Sequence, residues 1–226
     1  MTLRRVLMVC LTDDPLDPPG EERIGGGHFF VFDLGRYLVR LGWKVHYVTR
    51  RNAPDKPTRE HLGPLCQITR VDAGPQLDLH PLALAEHLEP LVRAVAAVDG
   101  LLESDVVHSH GWLSGAVARR MLGFPGPRHV HSILSLGRVR LELGEDSSPA
   151  DSFRDALELD LLGSADVLIA AAASEREDFN RLYPEIAHDR IVVIPYGVDP
   201  DVFYPRPEPA DSFVRRQARR FAEGPD

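Results

Sequence analysis

The chain has 226 residues, of which 43% are hydrophobic and 27% are charged, a composition typical of a globular protein with one large or two small domains. Its formal net charge of -8 argues against a general nucleic-acid or anionic-membrane binder, because both of those partners are polyanions. The two cysteines, Cys10 and Cys66, lie in separate apolar runs. This placement predicts reduced core residues in a cytoplasmic protein rather than a disulfide.

The first apolar run, residues 6–11, follows two arginines, as the hydrophobic part of a signal peptide does. The run is short and meets Asp13 and Asp14 without a small-residue cleavage site, which favours a buried first strand instead. No apolar stretch approaches the ~20 residues that a membrane-spanning helix needs. We therefore expect no membrane span.

Short apolar segments recur along the chain and are predicted to be strands. Several are nearly continuous runs of Val, Ile and Leu, which is typical of strands covered on both faces. In chain order the predicted strands are residues 4–11, 44–49, 66–73, 105–110, 128–134, 165–171 and 190–197.

Amphipathic helical patterns separate these strands. Apolar residues recur at helical spacing over residues 30–41, 84–95 and 153–161. Residues 174–177 have the spacing of a capping box, with Ser174 three residues ahead of Glu177, and predict the start of a fourth helix.

The alternation of strands and helices predicts an α/β fold: a Rossmann-like, doubly wound, mostly parallel sheet with helices on both faces. We expect this domain to span residues 1–205. Residues 206–226 have the composition of a linker followed by a short basic helix.

Three glycines and a histidine, residues 25–28, separate the first strand from the first helix. Backbone N–H groups at the start of a helix favour an anion, so Gly26, Gly27 and His28 are candidates for contact with a phosphate or a sugar. The spacing is neither the dinucleotide fingerprint GxGxxG nor a P-loop. A flexible loop with a glycine hinge is the alternative interpretation.

The segment HSHGWLSG, residues 108–115, ends the fourth predicted strand. Ligands of parallel sheets bind beyond the carboxyl ends of the strands, and Ser109, His110 and Trp112 offer hydrogen-bonding groups beside an apolar ring, which suits a sugar. The two histidines also fit a metal pair, or one buried and one exposed side chain. No third ligand stands close in the sequence, so we predict no metal.

Further polar residues follow the fifth predicted strand. Ser135, Arg138 and Arg140 come directly after it, and Arg154 and Glu158 lie four residues apart on a predicted helix. Arginines neutralise phosphates, but isolated surface arginines and a helix-surface salt bridge explain the same residues. No nucleophile is paired with a base in the sequence.

Four stretches together resemble the N-terminal half of a GT-B retaining glycosyltransferase of family 4, which includes sucrose-phosphate synthases, the mycothiol glycosyltransferase and glycogen synthase-like enzymes. They are residues 25–51, 105–115, 131–140 and 165–205. The last contains PYGVDPDVFYP, similar to the PxGVDxxxFxP signature that precedes the family's second domain.

The resemblance implies that this chain is an acceptor-side domain. The complete enzyme would move a hexose from a nucleotide diphosphate sugar to a hydroxyl acceptor, with no cofactor or essential metal. The donor site would belong to a C-terminal domain, so we expect the chain alone to be inactive and to pair with a donor domain in trans or to form a homodimer. The alternative is a non-catalytic sugar-binding or interaction module.

The sequence departs from the family pattern at several places. Leu134 stands where relatives carry a His that touches the transferred sugar, and leucine makes no hydrogen bond, so we assign no catalytic residue. Phe29, Pro81 and Gly111 stand near the places where the mycothiol enzyme holds inositol phosphate with Asn, Lys and Tyr. These differences predict a bulkier or less charged acceptor.

Overall fold

The computed structural model describes residues 3–17, 27–123, 125–144 and 149–200. The strands in this part of the chain are β1 (Arg5–Val9), β2 (Lys44–Arg50), β3 (Arg59–Gly63), β4 (Cys66–Val71), β5 (Val106–His110), β6 (Arg128–Ser132), β7 (Val167–Ala170) and β8 (Ile191–Val193). The helices are α1 (Gly27–Arg40), α2 (Pro81–Leu84), α3 (Leu88–Ala96), α4 (Trp112–Met121), α5 (Gly137–Glu142), α6 (Pro149–Ser164) and α7 (Ala173–Leu182), with 3-10 turns at Ala85–His87 and His188–Arg190.

The described strands form one sheet in the order β3-β4-β2-β1-β5-β6-β7-β8. Seven of them are mutually parallel, and β3 pairs antiparallel with β4 at one edge. The predicted doubly wound, mostly parallel α/β fold is confirmed. Each of the seven predicted strands is present, although β8 is shorter than the predicted segment 190–197.

Strand β3 was missed by the sequence analysis. Its sequence, REHLG, is almost entirely exposed, so it carries none of the apolar alternation that marks a strand. Its position at the edge of the sheet explains this, because edge strands tolerate charged side chains that also discourage pairing with another chain.

The core has a separate layer on each face of the sheet. In β1, Val6 and Met8 belong to a cluster that includes Val31 of α1, whereas Leu7 and Val9 pack in a second cluster with α3 and α4. This burial on both faces explains why β1 reads as a continuous apolar run. A third cluster joins β7 to α7.

The predicted capping box at Ser174 is wrong. Helix α7 begins at Ala173 with Ala172 at the N-cap, so Ser174 lies inside the first turn, and the cap makes no side-chain hydrogen bond. The carboxylate of Glu175 instead accepts from the backbone N–H of Ala171 at 2.6 Å. This acidic residue in the first turn stabilises the helix start in place of the hydroxyl.

The chain divides into two compact units, Met1–Tyr196 and Gly197–Asp226. The sheet and its helices belong to the first unit. The predicted basic helix within 206–226 lies outside the described residues, as do Gly25 and Gly26. None of the helices described is long and apolar enough to cross a membrane.

Helix α1 packs very closely on the sheet at Gly35. The Tyr47 hydroxyl donates to the carbonyl of Phe32 at 2.9 Å, and burial raises the pKa of Tyr47 well above its usual range. A Cβ atom added at Gly35 would lie 1.8 Å from that hydroxyl oxygen. Glycine at this position is therefore a packing requirement.

We expect Gly35→Ala to lower the free energy of unfolding by about 2 kcal/mol, because the new methyl group forces Tyr47 out of place. Gly163→Ala, inside α6, is the matched control. Its Cβ would meet Ile186 at an ordinary 3.5 Å, so helix propensity should raise stability by up to about 1 kcal/mol. Urea unfolding measures both, and an equal effect of the two variants would contradict this account.

Candidate functional site

The order of the strands reverses between β1 and β5. Strand β2 lies on one side of β1 and β5 on the other, and the helices that follow β1 and β5 pack on opposite faces of the sheet. Such a reversal leaves a crevice beyond the carboxyl ends of the two strands, where ligands of doubly wound sheets bind. We call it the switch crevice, and Val9 and His110 are the strand residues that border it.

His110 ends β5 at the switch crevice and is completely buried. Neither of its ring nitrogens has a hydrogen-bond partner among the described residues. The ring of His108 lies beside it at 4.1 Å between centroids, and the ring of Phe30 from α1 meets it edge-on at 6.0 Å. Phe30 in turn packs on Tyr196, with 4.5 Å between the centroids.

The neighbouring histidines, in contrast, have hydrogen-bond partners inside the sheet. His108 Nε2 lies 2.8 Å from Ser132 Oγ, and the Ser109 hydroxyl lies 2.8 Å from His129 Nε2 and 2.9 Å from His131 Nδ1. Ser109 and His110 point to opposite faces, because successive side chains of a strand alternate. Ser109 is therefore part of the buried sheet and does not line the switch crevice.

Burial keeps this group of histidines uncharged. Desolvation lowers the pKa of His108 to about 3 and that of His129 to about 4. It also lowers the pKa of His110 and of His131 well below the usual range, and neighbouring imidazoles act in the same direction. An ion would be held here only at a large cost, so these side chains act as neutral hydrogen-bonding groups.

Gly111 connects β5 to α4 and needs glycine. Its φ of 75° lies in a region that residues with a side chain rarely adopt. Its carbonyl accepts from the N–H of Gly115 at 3.0 Å and starts the helix. The Leu134 side chain lies 3.7 Å from the place where a Cβ of Gly111 would be, so Leu134 borders the same end of β5.

Glu158 is the acceptor at the centre of a buried network. One carboxylate oxygen accepts from the N–H of Gly137 and from the Tyr183 hydroxyl, each at 2.8 Å. The other accepts from Arg154 Nε and Nη2, both at 2.8 Å. The salt bridge that the sequence offered as an alternative explanation for Arg154 and Glu158 therefore exists, but it is buried, with only 5% and 2% of the two residues exposed.

Arg154 connects this network to the edge of the switch crevice. Its Nη2 donates to Ser135 Oγ at 3.1 Å, and its guanidinium lies over the ring of Trp112, 5.3 Å from the centroid. Ser135 is exposed and Trp112 is buried. Arg154 therefore holds the loop after β6 against the start of α4.

Arg138 lies on the outer side of the same region. It donates to Asp155 at 2.8 Å, to the carbonyl of Leu182 at 2.6 Å and to Glu185 at 2.7 Å. The hydrogen bond with Asp155 is the main reason why the pKa of Arg138 is raised above its ordinary value. Its positive charge is already matched by two carboxylates, so it ties α5 to α6 and α7.

The structure thus brings together some of the predicted site residues and separates others. His110, Trp112, Ser135 and Arg154 surround the carboxyl ends of β5 and β6, and Gly27 is the first residue of α1. Gly26 and the side chain of His28 lie outside the described residues. Among the residues described, no group of three or more His, Cys, Asp or Glu side chains is arranged to hold a metal ion.

Comparison with known proteins identifies the family. Residues 25–197 match the glycosyl transferase 4-like domain, and this range includes α1, His110 at the end of β5 and the Glu158 network.

The chain belongs to the glycosyl transferase 4-like family.

This glycosyl transferase 4-like chain has curated relatives of about twice its length. It is 31% identical to the D-inositol 3-phosphate glycosyltransferase of Thermobispora bispora over 92% of the chain and 49% of the relative. It is 35% identical to the enzyme of the same name from Nocardiopsis dassonvillei, over 89% of the chain and 48% of the relative. The chain therefore spans about half the length of these relatives.

Solved structures show the same fold. Sucrose-phosphate synthase from Thermosynechococcus elongatus superposes with a TM-score of 0.80 at 27% identity, over 95% of this chain and 52% of that one. The Anabaena protein HepE, solved with UDP and glucose, has a TM-score of 0.56 at 14% identity, over 95% of this chain and 50% of that one. The second likeness concerns the fold alone.

Sequence reasoning missed the partners that organise this region. Tyr183 lies 25 residues from Glu158 and Tyr196 lies still further from Phe30, so no local spacing connects either pair. Phe30 was predicted only as part of the apolar stripe of α1.

Glu158→Gln removes the charge that compensates Arg154. We expect it to lower the free energy of unfolding by roughly 3 kcal/mol, since a buried guanidinium loses its counterion. Asp160→Asn on the same helix is the control, because Asp160 and its partner Arg119 are both exposed and such pairs contribute about 1 kcal/mol or less. If thermal or urea unfolding gave equal losses for both, Glu158 would not be a central acceptor.

The buried histidines predict that acid destabilises the fold. His46, His108, His110, His129 and His131 all have a lowered pKa in the folded protein, so below about pH 6.5 the unfolded chain binds more protons than the folded one. Their contribution is complete above pH 6.5 and is lost as the pH falls below it, toward about 4 for His46 and His129 and about 3 for His108. Each ring costs up to roughly 1.4 kcal/mol per pH unit.

Urea unfolding at pH 7.5, 6.0 and 5.0 measures this loss. The control is His61→Gln, which removes an exposed imidazole on the edge strand β3. A free energy of unfolding that stays constant from pH 7.5 to 5.0 would contradict the neutral histidine cluster.

Proposed function

We propose that this chain is the acceptor-side domain of a retaining glycosyltransferase. Together with a donor domain across the cleft, it moves a hexose from a nucleotide diphosphate sugar to a hydroxyl acceptor. The observation that carries this proposal is the family match over residues 25–197, which includes the hydrogen-bonding groups gathered at the switch crevice.

The chain's own contribution is to position the reactants and stabilise charge. The backbone N–H groups at the start of α1, from Gly27 onward, suit the donor diphosphate because the helix dipole favours negative charge there. The leaving phosphate takes the acceptor proton in this scheme, so no side chain of the chain acts as a base. Rate enhancement then comes from orientation and electrostatic stabilisation.

The residues beyond β5 and β6 divide into two roles. His110 and Trp112 shape the acceptor side of the pocket, and exposed Ser135 offers a hydroxyl to a ligand. Arg154 and Glu158 brace the loop that carries Ser135 through their buried hydrogen bonds. Arg138 supports the same loop from outside.

The relatives are named for D-inositol 3-phosphate, and the acceptor that we propose for this chain is a different compound. Exposed Phe29, Pro81 at the start of α2 and Gly111 without a side chain offer neither the charge nor the hydrogen bonds that a phosphorylated acceptor needs. Tight and specific binding of inositol phosphate to this chain would contradict this choice.

Leu134→His should raise transfer by about tenfold or more, because one hydrogen bond to the reacting sugar that strengthens in the transition state contributes about 1.4 kcal/mol. Leu134 borders the crevice beside Gly111, so an imidazole there reaches the same space. Leu134→Met is the control, since it keeps an apolar side chain and should leave the rate unchanged. Steady-state transfer by the chain mixed with a donor domain measures both.

The proposed function is tested with a panel of nucleotide diphosphate sugars. Hydrolysis and transfer are measured for the 226-residue chain alone and after addition of a donor domain. We expect activity only in the mixture. Absence of both activity and nucleotide-sugar binding in the mixture would overturn the proposal and leave a binding module with the family's fold.

A further inference from the structure

His110 is the exception among the buried histidines that the structure describes. His46 has Thr69 and Gln67 as partners, and His108, His129 and His131 each have a serine hydroxyl within hydrogen-bond distance. Both nitrogens of His110 are buried and have no hydrogen-bond partner in the part of the chain that the structure describes. Leaving a buried polar atom unpaired costs about 1–3 kcal/mol, so this ring is retained at a cost to the fold.

The position of His110 indicates why an unpaired ring is retained. The ring lies at the carboxyl end of β5, beside the point where the strand order reverses, and that is where a doubly wound sheet binds its ligand. The ring of Phe30, which belongs to the first turn of α1, packs edge-on against it at 6.0 Å between the centroids. Phe30 is only partly buried, and Tyr196 beyond it is 48% exposed.

The chemistry of the ring restricts the ligand. A neutral imidazole offers one N–H donor and one acceptor nitrogen. A hydroxyl group both donates and accepts, and neighbouring hydroxyls of a sugar or polyol present both functions at once. A phosphate monoester offers mainly acceptor oxygens and charge, which this group of uncharged rings does not match.

We propose that His110 binds hydroxyl groups of an uncharged sugar or polyol, and that the Phe30 ring moves aside to admit them. This inference rests on the proposed function, which supplies the class of ligand. It adds the side chain that binds the ligand. The hydroxyls come either from the acceptor or from the hexose of the donor, and the test separates the two.

The binding test follows the imidazole nitrogens of the ¹⁵N-histidine-labelled chain by NMR. The ligands are glucose and myo-inositol as uncharged acceptors and UDP-glucose as the donor. The His110 signals are assigned as those missing from His110→Phe. A shift with glucose or myo-inositol indicates acceptor hydroxyls, and a shift with UDP-glucose alone indicates donor hydroxyls; either result supports the proposal. No shift with any of the three overturns it.

The variants supply a second and independent readout. His110→Phe replaces the ring by one of similar size and removes two unpaired polar atoms, so we expect an unchanged or higher urea midpoint. We also expect at least tenfold weaker binding of whichever ligand shifts the His110 signals of the wild-type chain. His46→Phe is the matched control. It removes a ring whose partners are inside the protein, so its midpoint should fall and its ligand binding should stay as in the wild type.

Two results from the variants would overturn the proposal. One is ligand binding by His110→Phe that equals the wild type. The other is a midpoint for His110→Phe that falls as much as that of His46→Phe, because the ring would then have a structural role.

The transfer assay with a donor domain distinguishes this failure from failure of the proposed function. If the mixture transfers hexose and His110→Phe does so with an unchanged KM for both substrates, the His110 proposal fails and the transferase remains. If His110 responds to a free sugar but no mixture transfers hexose, the sugar site stands and the transferase fails.

Discussion

The reversal of strand order between β1 and β5 is the constraint on which the rest of the structure depends. Because the helices that follow these two neighbouring strands pack on opposite faces, the carboxyl ends of the strands are where a doubly wound sheet binds its ligand. The start of α1, the imidazole of His110 and the tight turn at Gly111 all meet there. The start of α1 is far from His110 and Gly111 in the sequence, and the parallel sheet brings the three together.

A buried carboxylate organises the other side of the same edge. Glu158 is compensated by one guanidinium, one phenol and one backbone N–H, so the cost of burying its charge is largely offset. Arg154, which is paired with Glu158, donates a hydrogen bond to Ser135 and lies over the ring of Trp112. Arg138 and Arg154, two of the arginines that the sequence offered as phosphate ligands, are instead paired with carboxylates of the chain, which supports the proposed acceptor of low charge.

The sequence predicted the elements whose signal is periodic and left out those that depend on distant contacts. The seven apolar strands and the stripe of α1 were predictable because burial on known faces dictates their pattern. Strand β3 was not, since an exposed edge strand has no apolar alternation. The sequence marked His110 as a candidate, but its lack of partners depends on what surrounds it in three dimensions. The Ser174 cap failed because a neighbouring glutamate took its place.

The most direct test of the account is to locate the ligand on the chain. Hydrogen–deuterium exchange of the 226-residue chain with a donor domain is compared before and after adding a nucleotide diphosphate sugar and an uncharged acceptor. We predict slower exchange in peptides covering residues 27–34, 107–115 and 131–138, which border the switch crevice. Slower exchange confined to residues 59–71, at the far edge of the sheet, or no change at all, would contradict a ligand site at the strand-order reversal.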